Sequence, residues 1–374
     1  MITDSIQRID PNLISSDTSN QSIPIFFIAD IGELENHISE TEYKYLTAIK
    51  FKGFYGECII LPTSDGDIGK VILGVRSKRK CNPKFCFGSQ LSNLPVGRYR
   101  IKSLPSDINL RELYLGFYFS FYTFDHYKKS DTLSFRLEKP NLCNSPLTSH
   151  EKFIYLTESE YIARDLINSP ANYLGPSKLE EYAKSFSDFH EARFSSICGE
   201  ELLKKNLPLI YNVGKASEQE PRLIEINHGK EEAKFSLTLI GKGVCFDTGG
   251  LNLKNSVGMQ NMKKDMAGSA AVLSLAHYFI RSGTNIKLRI LIPCVENSLS
   301  GNSFRQGDVL NSRNGTSIEI HNTDAEGRLI LADALNLATE TPCDLLVSFA
   351  SLTGSARVAM GSDLTPFFST SDNL

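Results

Sequence analysis

The chain reads as an α/β protein of two domains. A small N-terminal α/β domain is expected over residues 1–148, and a C-terminal α/β/α domain with a mostly parallel central sheet over 149–374. Three observations predict this. Short apolar runs alternate with helical stretches through the first part of the chain. A segment rich in charge, Pro, Asn and Ser, HYKKSDTLSFRLEKPNLCNSPLTSH, follows at 126–150 and reads as a linker. Beyond it, near-continuous Leu/Ile/Val runs lie between helices, the pattern of a parallel sheet covered on both faces.

Taken in order, residues 1–22 are rich in Ser, Asp and Asn and are expected to be loose. The runs IPIFFI, ECIILP and VILGV are strand candidates of the first domain. A helix is predicted from Glu151 to Asn168, with Tyr155, Ile162 and Leu166 among its apolar positions, ending at Ser169-Pro170. A second begins after Pro176-Ser177 with KLEEYAKSF. FSLTLIG at 235–241 is a strand, AGSAAVLSLAHYFIRSG a helix closed by Gly283, and IKLRILIPC a strand. SIEIHN is a further strand, GRLILADALNLA a helix and DLLVSFASL a strand. In such sheets, ligands sit at the carboxyl ends of the strands.

Composition narrows the function classes. Apolar residues are 41% and charged residues 22% of 374, the profile of a globular protein. Forty Lys+Arg against 43 Asp+Glu gives a net charge of −3, which offers no general attraction to nucleic acid or anionic membrane. The N-terminal MITDSIQRIDPNL has no apolar export core, and no apolar run reaches the ~18 residues of a membrane span. The eight cysteines are scattered, several in strand-like runs, and read as reduced thiols of a cytoplasmic protein. Cys81 and Cys86 lack a second pair for zinc, and Arg76–Lys80 reads as a solvated basic loop.

The most informative stretch is Asn322-Thr323-Asp324-Ala325-Glu326-Gly327-Arg328-Leu329, at a strand-to-helix junction. It places two carboxylates and a guanidinium within five positions, with Asp324 on the loop, Glu326 in the first helical turn and Arg328 one turn past Asp324. Such a pair can hold a metal ion. Thr323-x-x-Glu326 also fits a capping box, and local sequence alone leaves both readings open. A second polar cluster follows FSLTLIG: Lys242, Asp247 and Lys254 on a glycine-rich turn. Asp265 then opens the next helix, where it also fits an N-cap, and the two lysines also fit a solvated surface. Asp247-Thr248-Gly249 matches the aspartic-protease triplet, but no second one occurs to share the proton. GKG has no P-loop frame.

Together, GKGVCFDTGG, LNLK, MKKDM and NTDAEGRL resemble the leucyl (cytosol) aminopeptidases, a family of dinuclear metallo-exopeptidases. The octapeptide matches the family signature without a mismatch. The gaps also fit, with 18 residues from Asp247 to Asp265 and 59 more to Asp324. The resemblance is strong over the second domain, reaches back to RDLINSPANYLGPSKLEE at 164–181, and is weak over the first. It implies five metal ligands, Lys242, Asp247, Asp265, Asp324 and Glu326, with Asp247 and Glu326 bridging two divalent ions, Mn or Zn, with Mg or Co also compatible. A lysine ligand makes sense only beside a dication that favours its neutral form. The implied chemistry is two-metal hydrolysis at a peptide's free N-terminus, with leucine-like first residues preferred. Lys254 would stabilise the oxyanion and Arg328 would hold a bicarbonate that acts as general base. Met262, Ser351 and Gly354 would line the pocket for the first side chain, with Ser351 standing where the family commonly has Thr.

The resemblance also implies a longer second domain, because family members continue well past Asp372-Asn373-Leu374. A truncated gene product or fragment is therefore expected, lacking core elements, part of the specificity pocket and contacts of the family's homo-hexamer. Two alternatives stay open. One is a non-catalytic remnant that keeps the motifs without assembling. The other is a DNA-binding regulator, a second role known among relatives, which the acidic net charge opposes.

Overall fold

A computed structural model of the chain describes residues 9–15, 22–77, 85–128, 139–143, 150–362 and 364–372. The expected domain boundary at 148/149, most of the loose start and part of the linker lie outside these residues. Chain contacts divide the molecule between Tyr161 and Ile162, inside the long helix His150–Asn168.

The first unit is built on six strands: β1 (Ile14–Ser15), β2 (Ile23–Ile28), β3 (Cys58–Pro62), β4 (Ile68–Gly74), β5 (Arg98–Ser103) and β6 (Asn141–Cys143). Their order is β1-β6-β5-β2-β4-β3, and every pairing is parallel except β3 with β4. IPIFFI is apolar throughout because β2 is buried on both faces. Ile25 and Phe27 join one core with Val71, Leu73, Tyr99 and Phe117, while Phe26 and Ile28 join another with Leu34, Leu46 and Ile72.

The second unit contains β7 (Arg193–Cys198), β8 (Arg222–His228), β9 (Ser236–Gly241), β10 (Gly243–Asp247), β11 (Lys287–Asn297), β12 (Val309–Asn311), β13 (Ser317–Glu319) and β14 (Leu345–Phe349). The central sheet runs β14-β9-β11-β8-β7, with β10 also on β11. β14–β9, β9–β11 and β10–β11 are parallel, so the sheet is mostly parallel; β8 and β7 join it antiparallel. Neither was anticipated from sequence. SIEIHN is not a strand of this sheet either: only Ser317–Glu319 is extended, and it pairs with β12 in a small hairpin.

One face packs Leu223, Ile240, Val244, Leu291 and Val295 against the helices Pro208–Gly214 and Glu326–Thr339. On the alternate positions, Gly241 lies against Gly268 and Ser269 at the start of the helix Ala267–Arg281, and the helix Pro176–Phe189 packs on β7 and β8. Helices thus pack on both faces of β9 and β11, and the loops at the carboxyl ends of β10, β11 and β14 are left to build a site.

Candidate metal centre

β9 and β10 form one strand broken at Lys242. The register on β11 is unchanged across the break, Ile240 pairing with Leu291 and Gly243 with Cys294. Lys242 N–H instead donates to Phe349 O of β14 at 2.9 Å, and Ser269 N–H donates to Lys242 O at 3.0 Å. This close meeting needs Gly268, where a Cβ would stand 2.1 Å from Phe349 O.

Lys242 and Asp247 are five residues apart, which in a regular strand would send them to opposite faces. A bulge between Val244 and Asp247 removes the conflict: Asp247 pairs with Asn297, one position short of the earlier register. Both side chains then turn the same way. Beyond Asp247 the chain reverses through Gly249 and Gly250, at φ +89° and +61°, and Lys254 N–H closes the turn on Thr248 O at 2.9 Å.

Asp265 sits in a 3-10 turn, Met262–Met266, that precedes the helix Ala267–Arg281. It caps nothing. Its carboxylate meets Lys242 Nζ at 2.8 Å and accepts from Ser351 Oγ at 2.7 Å. The octapeptide forms a second 3-10 turn, Thr323–Ala325, and Glu326 begins the following helix. The capping-box reading is not what forms. Asn322 caps the turn by accepting from Asp324 N–H, and Thr323 turns its hydroxyl to the glycine loop. That hydroxyl donates to Gly249 O at 2.7 Å and accepts from Asn252 N–H at 2.8 Å. Thr323 thus locks together the two segments that carry Asp247 and Asp324, a role the sequence reading missed although the residue lies within the signature.

The result is one buried cluster. Oxygens of Asp247, Asp265 and Glu326 lie within 4.8 Å of one another, and all three residues are buried. Lys242 Nζ stands between Asp265 and Glu326, at 2.8 and 2.9 Å. Lys254 Nζ stands between Asp247, at 2.8 Å, and Asp324. Four carboxylates therefore share two ammonium groups, an excess of negative charge of which Asp247, Asp265 and Glu326 are buried and Asp324 half-buried. Burial pushes the Glu326 carboxyl up to about 7, and the charges of Asp247 and Asp265 add to that against the pull of Lys242. Asp265 and Asp324 are raised for the same first cause, burial, with Asp247 adding. Lys242 is lowered by burial but raised more by Glu326 and Asp265, so it is an ammonium in this arrangement.

These residues fit divalent cations. Glu326 Oε2 is buried with no hydrogen-bond partner, a costly state that a cation relieves. Hard oxygen donors match the metals expected from the sequence. A dication among the same carboxylates would repel the Lys242 proton and favour the ligating amine.

The remaining expected residues lie close by in the chain with different surroundings. Arg328 is exposed in the first turn of the helix Glu326–Thr339 and makes no hydrogen bond or ion pair among the described residues. Met262 opens the turn that carries Asp265. Ser351 follows β14 with its hydroxyl committed to Asp265, and Gly354 opens the helix Gly354–Met360. No helix among the described residues is long and apolar enough to cross a membrane.

Comparison with known proteins agrees with the geometry. The family model "Cytosol aminopeptidase family, catalytic domain" matches residues 161–374, and "M17 aminopeptidase, N-terminal domain" matches 27–140. A cytosol aminopeptidase of Encephalitozoon cuniculi is 33% identical over 353 residues, 92% of this chain and 72% of that protein. The crystal structure of a cytosol aminopeptidase from Coxiella burnetii superposes with a TM-score of 0.81 at 35% identity, over 93% of this chain and 75% of the other. The bottromycin maturation enzyme BotP, solved in complex with Mn, shares the fold at 24% identity and a TM-score of 0.76, over 94% of this chain and 74% of its own. By sequence over most of its length, and by fold, the chain belongs to the cytosol aminopeptidase family of metalloexopeptidases.

Proposed function

We propose that the chain is a dinuclear metal-dependent aminopeptidase that releases the first residue of peptides with a free N-terminus, leucine-like side chains preferred. The observation that carries this reading is the cluster of buried Lys242, Asp247, Asp265 and Glu326 with half-buried Asp324 beside it, one Glu326 oxygen being left unpartnered. Those five residues would hold two ions, Mn or Zn first and Mg or Co also compatible. The Mn bound to BotP supports the class of metal. When bound, such a pair supplies Lewis acidity and lowers the pKa of water near the scissile bond.

The chain's own residues do the rest. Lys254 is held as an ammonium: burial lowers it, but Asp247 and Asp324 raise it further, well above its ordinary value. Its side chain is about one-sixth exposed, at 16%, so it offers a charged donor to an oxyanion arriving from the open side. Arg328, with its fork unpaired among the described residues, is suited to a bidentate anion, and bicarbonate is the one we assign as general base. Met262, Ser351 and Gly354 would border the first side chain. The reaction is placed in the cytoplasm and the assembly is expected to be a homo-hexamer.

The test is metal content and turnover together. Chain stripped with a chelator should regain two ions per subunit on adding Mn2+ or Zn2+ and hydrolyse leucine anilide, with loss of both on Asp247→Asn or Glu326→Gln. Two bound ions without turnover would make the chain a non-catalytic member. No metal uptake would sink the two-ion reading, and salt-sensitive DNA retardation would revive the regulator reading. Light scattering reports the assembly.

A further inference from the structure

We infer that Asn297 is a positioning residue of this site: its amide selects which oxygen of Asp247 faces the cluster and ties that residue to the segment carrying Asp324 and Glu326. The inference rests on the two-ion reading above. Asn297 ends β11, is fully buried, and is the register partner of Asp247 beyond the bulge. Its Nδ2 donates to Asp247 Oδ1 at 2.9 Å and to Thr323 O at 3.1 Å, which uses both amide protons. Gly249 N–H meets the same Asp247 Oδ1 at 2.9 Å. With two donors on Oδ1, Oδ2 is the oxygen left to face Lys254 Nζ at 2.8 Å.

The main chain of Asn297 grips the same loop. Its carbonyl accepts from Thr248 N–H at 3.1 Å and from Thr248 Oγ1 at 2.8 Å. One residue therefore holds Asp247 and its neighbour and reaches Thr323, next to Asp324. The amide's orientation follows from its partners, since a flip would set Oδ1 against a carboxylate oxygen and a carbonyl oxygen. Oδ1 itself is buried without a hydrogen-bond partner. A half-satisfied buried amide is costly, so packing alone does not favour Asn here. Orienting a metal ligand does account for it, because partners that fix a ligating carboxylate contribute heavily to metal affinity.

The experiment compares wild type with Asn297→Ala, Asn297→Asp and Asn297→Ser. Each chain is stripped with chelator, its ion-free melting recorded, then titrated with Mn2+ by calorimetry and assayed on leucine anilide. Ala and Asp should weaken Mn2+ binding about 10–100-fold and lower kcat, with KM little changed. Ser keeps one donor and should recover part of the affinity. Wild-type Mn2+ affinity in folded Asn297→Ala overturns the inference while leaving the two-ion reading intact. Failure of all three variants to fold also overturns it, since Asn297 would then serve the fold alone. A wild-type chain that takes up no Mn2+ overturns the two-ion reading first, and so the two failures are told apart.

Discussion

Gly327 shows how tightly single atoms are set around Lys242, one of the expected ligands. A Cβ there would stand 2.6 Å from Lys242 Cε and 2.7 Å from its Nζ. The obstructed atoms are the tip of a flexible side chain, so the fold can yield, but only by moving the ammonium off Asp265 and Glu326. Gly327→Ala should therefore destabilise the ion-free chain by loosening two buried ion pairs, and lower kcat/KM by about 10²-fold, the scale of a misplaced site group. Comparable melting with near-normal activity would show that Lys242 needs no such placement. The residue scale is also where the sequence was most legible. The positions expected as ligands stand at or just beyond strand ends or at the starts of helices, and the family resemblance, with its matching gaps, singled them out where local sequence left other readings open. Thr323 and Asn297 were less so. One was absorbed into a capping motif that does not form. The other sits at the end of a strand whose apolar run stops at Val295, two residues earlier, and nothing local marks its partners.

At the scale of elements, two contacts between helices and loops are open to test. Asp333 is fully buried on the helix Glu326–Thr339. It accepts from Leu209 N–H at 2.7 Å and Ile210 N–H, capping the helix Pro208–Gly214, and from Arg313 N–H at 2.9 Å. Asn would aim an amide donor at one of these donors. Asp333→Asn should cost about 2 kcal/mol, a fall of roughly 5 °C in Tm for a unit this size, with metal affinity retained. An unchanged Tm would show that the cap carries no weight. The second contact is His190 against His277, Nε2 to Nδ1 at 3.0 Å, where the end of the helix Pro176–Phe189 meets the helix Ala267–Arg281. Burial first, then His277, His228 and Arg281, hold His190 down at about 3 from an ordinary 6.5. Phe186 and Phe189 pack on its ring and offer no countercharge. Folded His190 is thus neutral where the unfolded residue charges. Its contribution is present above pH 6.5 and is lost as pH falls toward 3, at about 1.4 kcal/mol per unit. Urea unfolding between pH 6.5 and 4.5 should show this slope reduced in His190→Gln, and an equal slope in both chains would assign the acid sensitivity elsewhere.

Across the whole molecule, what the sequence concealed has one physical cause. β7 and β8 carry Arg193, Ser195, Glu225 and Asn227 on positions that face a cavity of about 540 Å³, which Thr238 and Arg289 also line. A sheet half open to water loses the continuous apolar run that reveals a buried strand, so RFSSIC and RLIEINH read as unremarkable. The half built on the parallel strands β9, β11 and β14, with helices packed against them, was legible as FSLTLIG, IKLRILIPC and DLLVSFASL. The site draws all its expected ligands from that legible half, residues 242–326, so its energetics belong to the unit from Ile162 onward. Ions that bind the native unit and not the unfolded chain add RT ln(1 + [ion]/Kd), about 2.7 kcal/mol for each site at 100 times Kd. Two ions would contribute about 5 kcal/mol, or roughly 10–20 °C in a unit of this length. Scanning calorimetry with Mn2+ and with chelator should therefore differ by that order, and Asp324→Asn should shrink the difference. Melting curves that coincide with and without metal would mean that the carboxylate excess around Lys242 and Lys254 is resolved by protons rather than by ions.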